Sequence, residues 1–421
     1  MLDIKYLEEN KEKVVKSLQK RQFKEVNLVE QVLNLDKKRK KILLETEELR
    51  TKRNKVAKEK NIEEGKKLKE VLSKKEPELR EVEKELKDNL YKIPNITLDD
   101  VPSGGEENKK IVKKVGEPKK FDFKPKDHLE LGTALGIIDM ERASKISGTR
   151  FSYLKADGVM LEMALINYAL EKLSKEGFIP VFPPMLIKKE ITDDLGYWHG
   201  GGNENYYYVL DYEEGEGKKQ LQNPLYLIGT GEHSVAPMHK DEIIEEKDLP
   251  KKYVAFSSCF RREAGTYGKD TKGILRVHQF DKVEMVCFTK PEESQKMHEK
   301  MLSISEKLMQ DLAIPYQVVI LTAGDTAHPL AKTYDIEAFL PGQGKYRETH
   351  SISTATDYQA RRLNIKYKAK NKNEYIHMLN GTVFAIGRTI IAIMENYQNK
   401  DGSISVPEVL RKWVGKDNLT S

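Results

Sequence analysis

From Met1 to Ile93 the chain contains one glycine, Gly65, and one proline, Pro77, whereas both become frequent from Pro94 onward. A stretch of that length almost free of turn formers has little choice but long helix. Within it Leu28, Val32, Leu35, Ile42, Leu49 and Val56 keep a heptad phase, with Arg39, Thr46 and Arg53 as polar interruptions, and Leu68, Leu72, Leu79, Val82, Leu86 and Ile93 keep a second. The polar run Asn61 to Gly65 between the two phases predicts a turn, and hence two antiparallel helices in a hairpin. Pro77 predicts that the second helix bends or begins late.

The hairpin also carries the charge. Residues 1–92 hold 27 Lys and Arg against 20 Asp and Glu, and the remainder of the chain is balanced at 46 against 47. Lys37 to Lys41, Lys52, Arg53, Lys55, Lys58, Lys60, Lys66, Lys67 and Lys69 are too polar for a hairpin seam and must face water or a partner. A localised basic surface suits a polyanion. The same charges suit a solvated spacer or a dimerising coiled coil, and both readings stand at this point.

From Ile93 the turn-rich IPNITLDDVPSGGEENKK reads as a linker, which divides the 421 residues into an arm with linker, 1–115, and a body, 116–421. Strands expected at Tyr253 to Phe260, Val277 to Phe288 and Tyr316 to Leu321 alternate irregularly with helices, the pattern of an α+β domain on a mostly antiparallel sheet. No apolar run approaches the roughly 18 residues of a membrane helix, and the first residues do not resemble a secretory signal, so neither membrane insertion nor export is expected. The two cysteines, Cys259 and Cys287, lack CxxC spacing and suit a reducing, cytoplasmic compartment.

Three constellations could carry chemistry. In the first, the parity of an extended strand puts Arg276, Phe280 and Glu284 on one face, and Arg261 and Glu263 on one face of the strand before it. Two arginines, a ring and two carboxylates suit a ligand with a phosphate, a flat base and an amine, although a cross-strand ladder of ion pairs would use the same residues. In the second, Thr382 to Met394 reads as a buried helix with Arg388 in its middle, where the cation needs Glu395, another carboxylate or an anionic ligand. In the third, Glu348 and Ser351 offer hard oxygens suited to Mg²⁺ beside phosphates. The nine histidines show no HExxH spacing, and neither a GxxxxGK[ST] loop nor a strand-anchored GxGxxG occurs.

Taken together these residues resemble a known family. Phe260-Arg-Arg-Glu263 with the strand reaching Glu284 resembles motif 2 of class II aminoacyl-tRNA synthetases, Gly387-Arg388 resembles motif 3, and Gly177-Phe-Ile-Pro-Val-Phe-Pro-Pro184 the end of motif 1. AGTYGKDTKGILRVHQFDKVE, AKTYDIEAFLPGQGKYRE and TDYQARR, behind a basic hairpin, look specifically like the seryl-tRNA synthetases, and the resemblance covers essentially the whole chain. It implies a homodimer with motif 1 at its interface, an antiparallel catalytic sheet flanked by helices, and an arm that reaches the variable arm of tRNA(Ser). It further implies ATP and serine as substrates, with Mg²⁺ at Glu348 and Ser351. Arg261, Arg276 and Arg388 would be the catalytic cations, Glu263 would meet adenine, and Phe280 and Arg388 would sandwich it. Thr230, Glu232, Arg261, Glu284, Asn380 and Thr382 would bind serine. A pocket that pairs with the serine hydroxyl rejects alanine because its own groups are then left unpaired, whereas threonine must be excluded by shape.

The chain departs from that pattern near the pocket. It has Gly231 where the family has alanine or serine, followed by His233, and it reads His350-Ser-Ile-Ser-Thr354 where Ser-Cys-Ser-Asn is usual; the segment Trp198 to Glu204 is also unfamiliar. Two rivals follow, a non-catalytic relative that binds RNA or serves structure, and a relative that loads a carrier protein. The intact arginines oppose the first, and the helical arm opposes the second.

Overall fold

The computed structural model describes residues 1–197, 205–210, 224–264 and 272–420, which form two compact units, Met1–Ile96 and Thr97–Ser421. In the first, two short helices, α1 (Ile4–Glu9) and α2 (Lys11–Lys20), precede α3 (Leu28–Lys58) and α4 (Ile62–Lys92), which pack together over their length. Each long helix has 31 residues, about 46 Å at 1.5 Å per residue. The seam uses the expected positions: Ile42 packs with Leu79 and Val82, and Leu28, Val32, Val56, Leu72 and Leu86 are buried. Thr46, fully buried, satisfies its hydroxyl on the Ile42 carbonyl at 2.7 Å, and Arg39 lies beside the seam on Asp36.

The turn differs from expectation. Gly65 lies inside α4, because Asn61 caps the helix by accepting from the Glu64 amide and Glu63 and Glu64 favour its positive end. Pro77 also lies inside α4, which neither stops nor starts there. Its missing hydrogen bond and ring clash cost about 3 kcal/mol, less than the Leu72, Leu79 and Val82 side chains contribute on either side.

The second unit is built on an eight-stranded sheet. Its strands are β1 (Lys110–Val115), β2 (Ile179–Val181), β3 (Lys251–Phe260), β4 (Gln279–Thr289), β5 (Tyr316–Ile320), β6 (Lys332–Leu340), β7 (Lys345–Thr356) and β8 (His377–Ala385), in spatial order β1-β5-β6-β7-β8-β4-β3-β2. Every neighbouring pair is antiparallel except β2 with β3. Residues 97–115, which read as linker in the sequence, belong to this unit, since Leu98 bonds the Ala331 carbonyl and β1 pairs with β5. A lysine-rich KIVKKV reads poorly as a strand, but charged edge strands are how sheets avoid pairing with other chains.

Helices α5 (Asp157–Lys175), α8 (Ser294–Asp311) and α10 (Ile386–Asn396) cover one large apolar cluster, into which Val283, Met285 and Cys287 of β4 point. The other face of β4 changes character along its length. Phe280, Lys282 and Glu284 line a cavity, and beyond them Val286 and Phe288 enter a second cluster under α6 (Lys189–Leu195) and α9 (Tyr358–Leu363). Between these two helices in the chain lies α7 (Glu232–Val235), a single turn.

Candidate active site

One cavity of about 500 Å³ gathers all twelve of the residues singled out above: Thr230, Glu232, Arg261, Glu263, Arg276, Phe280, Glu284, Glu348, Ser351, Asn380, Thr382 and Arg388. The local geometry differs from the strand picture in two places. β3 stops at Phe260, and Glu263 takes a left-handed backbone, φ 52°, so Arg261 and Glu263 project from the strand end rather than from one strand face. Arg276 likewise precedes β4, which begins at Gln279. The two loops still meet, because the Arg261 amide bonds the His278 carbonyl at 2.9 Å and Arg276 pairs with Glu263 at 2.6 Å.

Thr382 to Ala385 are strand, not helix, and α10 begins at Ile386, so Arg388 stands in a first turn whose start, with Ala385 and Gly387, borders the cavity. A helix start favours anions there. The partner of Arg388 is Glu348, at 3.1 Å, and its Nη1 also donates to the Glu348 carbonyl at 3.1 Å. Glu395 is occupied elsewhere: it accepts from the amides of His128 and Gly342 and faces the His128 ring. His128 in turn accepts from the Ile274 amide at 3.3 Å, holding the return of the loop between β3 and β4. Gly273, φ 67°, leaves room for that ring, since a Cβ there would lie 2.0 Å from His128 Nε2. Gly273→Ala is expected to cost about 2 kcal/mol or more by strain and displacement of the ring, read as a lower melting temperature together with weaker ATP-dependent activity.

Arg261 Nε donates to the Gly229 carbonyl at 2.9 Å and its guanidinium lies 5.4 Å from the Phe280 ring centroid. Glu284 pairs with Lys282 at 2.6 Å and accepts from Thr382 at 3.4 Å. Glu232 accepts from Tyr197 and Gln359. Lys282, Tyr197 and Gln359 also line or back this site without standing out in the sequence. The alternation that selects Phe280 and Glu284 also selects Lys282, whereas Tyr197 and Gln359 arrive by packing of α6 on α9.

The departures have local explanations. Gly231 is helical in backbone, φ −57°, and a Cβ would press on Ala255 Cβ at 3.3 Å and Ser257 Oγ at 3.4 Å, so glycine matches the neighbours rather than a turn. His233 is buried; burial and then Arg261 push it down to about 3, so the neutral ring accepts from the Gly229 amide at 3.3 Å and faces the Tyr206 hydroxyl. His350 is buried against Phe384, with Nδ1 2.8 Å from the Thr349 hydroxyl, and Ile352 fills the main cluster. Trp198 to Glu204 lie outside the described residues.

At the proposed metal position, Ser351 stands opposite Asp335 in the β6–β7 register, and Asp335 Oδ1 is buried without a hydrogen-bond partner. Burial and then the Glu348 charge hold the Asp335 carboxyl well above the ordinary range, while burial of Glu348 is outweighed by Arg388, which keeps it low. Two carboxyls and a hydroxyl with an unsatisfied oxygen are donors a hard divalent cation would complete. Among the described residues no group of three or more His, Cys, Asp and Glu side chains is placed to hold a metal ion.

An antiparallel sheet with arginines at a strand end and at a helix start beside its cavity is the arrangement that the resemblance to class II aminoacyl-tRNA synthetases implies. Residues 213–397 match the tRNA synthetase class II core domain (G, H, P, S and T), and residues 1–97 match the seryl-tRNA synthetase N-terminal domain. The chain is 43% identical to the serine–tRNA ligase of Thermodesulfovibrio yellowstonii over 99% of both chains. It superposes on the seryl-tRNA synthetase of Pyrococcus horikoshii complexed with ATP with a TM-score of 0.91 at 39% identity, covering 100% and 99% of the two chains. The cytoplasmic serine–tRNA ligase of Naegleria fowleri in complex with AMP matches with a TM-score of 0.88 at 35% identity, covering 100% and 99%. The chain belongs to the seryl-tRNA synthetase family.

Proposed function

We propose that this chain activates serine with ATP and transfers the seryl group to the 3′ end of tRNA(Ser). The observation that carries it is the joining, in one cavity, of a phosphate-type group, Arg261, Arg276 and Arg388 with Phe280, to a serine-type group, Glu232, Glu284, Thr230, Asn380 and Thr382. The relatives solved with ATP and AMP support the nucleotide.

In the first step a serine carboxylate oxygen attacks the α-phosphorus of ATP; the O–P bond forms as the bond to the β-phosphate oxygen breaks, and pyrophosphate leaves. Arg261 holds the carboxylate and α-phosphate. Phe280 and Arg388 sandwich adenine, Glu263 meets its edge, and Arg276 and Arg388 stand near the β- and γ-phosphates. Glu232 with Thr230 and Asn380 receives the ammonium, and Glu284 with Thr382 receives the hydroxyl. In the second step the terminal ribose hydroxyl attacks the seryl carbonyl and AMP leaves. No protein nucleophile is needed; positioning and fixed cations do the work. Glu348 and Ser351, with Asp335 adjacent, would hold Mg²⁺, which when bound neutralises phosphate charge. Charging of a tRNA(Ser) transcript with labelled serine tests the whole sequence, and a folded chain that charges none refutes it.

We further propose that the chain is a homodimer, which its exposed surface supports. Val159, Met160 and Met163 form an exposed apolar stripe on α5, and Ile179 and Phe182 stand exposed at the β2 edge, Phe182 at 71%. A patch of this kind asks for a partner, and a second copy would cover it. Met163→Glu with Phe182→Asp is expected to halve the mass in sedimentation. The two cysteines are buried free thiols, and no described helix is long and apolar enough to cross a membrane. With tRNA as partner, the cytoplasm is the compartment we assign.

A further inference from the structure

The carboxylate of Glu232 is held from behind. The residue is 3% exposed and opens the single turn α7. The Tyr197 hydroxyl lies 3.1 Å from Oε1 and 2.9 Å from Oε2, and Gln359 Nε2 donates to Oε1 at 2.9 Å. Gln359, buried on α9, gives its second amide hydrogen to the Leu195 carbonyl at 3.3 Å, which fixes the orientation of the amide. Tyr197 is brought back into the site by Gly196, whose φ of 85° and approach to the Tyr358 ring, 3.3 Å from an added Cβ, exclude a side chain there. Asn380 Nδ2, on the opposite wall, lies 3.5 Å from the same tyrosine hydroxyl.

From this geometry we propose that Tyr197 and Gln359 are positioning residues for the amino-acid substrate: they turn Glu232 so that its free acceptor sites meet the substrate ammonium. The proposal rests on the reading of the cavity as a serine site. A carboxylate offers about four acceptor sites, and two donors on the α6–α9 side leave the others to the cavity. An acceptor already fixed loses no side-chain freedom when the ligand arrives.

The electrostatics around Glu232 act in the same direction. Burial pushes the Glu232 carboxyl up and the nearby Glu284 adds to this, whereas the hydrogen bonds from Gln359 and Tyr197 and the charge of Lys282 pull it down. Tyr206 faces the same carboxylate, and neutral His233 is its neighbour on α7. Removing either donor therefore raises the Glu232 pKa further. The carboxylate form then needs a higher pH, and the acid limb of kcat/KM for serine moves upward.

The test is ATP–pyrophosphate exchange by the wild-type chain, Tyr197→Phe and Gln359→Met, with serine and ATP varied separately across pH. The expected result is a serine KM raised about ten-fold or more in each variant, since a substrate-facing acceptor has lost its orientation. The ATP KM stays within about two-fold, and the acid limb moves up by about 0.5 pH unit or more. Tyr197→Phe keeps the ring and its packing, so it decides alone if Gln359→Met melts. Serine KM and acid limb both unmoved, in a folded variant, overturn the proposal; so do serine and ATP KM rising together with the limb in place, the mark of general loosening. No serine exchange by the wild type overturns the serine-site reading and this proposal with it, whereas wild-type exchange with unmoved variants overturns this proposal alone.

Discussion

Arg388→Ala is expected to lower serine-dependent ATP–pyrophosphate exchange by roughly three orders of magnitude, about 4 kcal/mol of transition-state stabilisation. The guanidinium stands at the start of α10 and borders the cavity together with Gly387. It is tied to Glu348 by a side-chain pair at 3.1 Å and to the Leu275 carbonyl at 3.4 Å, so it is oriented before any nucleotide arrives. Removing one oriented donor to a developing oxyanion costs roughly 10²–10³ in rate. Here the loss is compounded, because Glu348 would face the phosphates without the cation it pairs with. Stability is affected far less. The side chain is 22% exposed and lies outside both main apolar clusters, so the melting temperature is expected to fall by no more than about 4 °C. Arg388→Lys restores charge without the planar face, and activity between the two is expected. Exchange retained in a folded Arg388→Ala would remove this residue from the assignment.

The second large effect separates the two steps. Replacing residues 45–76 by a short turn is expected to leave exchange within about two-fold while lowering kcat/KM for tRNA charging by about 100-fold. The truncation keeps the Ile42, Leu79 and Val82 cluster midway along the hairpin. It removes a basic run at the tip of the arm: residues 52–69 hold eight Lys and Arg against three Glu, and all eight cations are exposed. Phosphate contacts of this kind release counterions, so the charging rate should also lose salt dependence, by a log–log slope of roughly 3 if three or four contacts go. Charging unchanged by the truncation would return the arm to the spacer reading.

These two predictions draw on parts of the chain that differ in how openly the sequence displays them. The hairpin is legible because a single period controls it, and burial of Ile42, Val56, Leu72 and Leu86 follows that period directly. Its turn is misplaced by Gly65, since side-chain capping at Asn61 decides the helix start and a lone glycine is tolerated inside a helix. The polar face of β4 is legible by alternation. Its apolar continuation at Val286 and Phe288 is not, because that depends on which helices lie across the sheet. Arg388 stands out as a cation in an apolar run, yet its partner depends on β7 lying near α10, so Glu348 and not Glu395 receives it. Asp335 is hidden within a strand buried almost throughout, and only the register opposite Ser351 brings it to the site. Tyr197 and Gln359 are the least legible of all, being 162 residues apart in sequence and joined only through Glu232.

The central claim is that one cavity joins a nucleotide site to a pocket whose polar groups are matched to serine. ATP–pyrophosphate exchange with serine, and with alanine, glycine and threonine as competitors, tests it most directly. A pocket that pairs with the substrate hydroxyl should favour serine over alanine by at least about 100-fold, and the same cavity should exclude the extra methyl of threonine by shape. Exchange confined to serine is the predicted result. No exchange from the folded chain, or exchange equal with serine and alanine, would contradict the account.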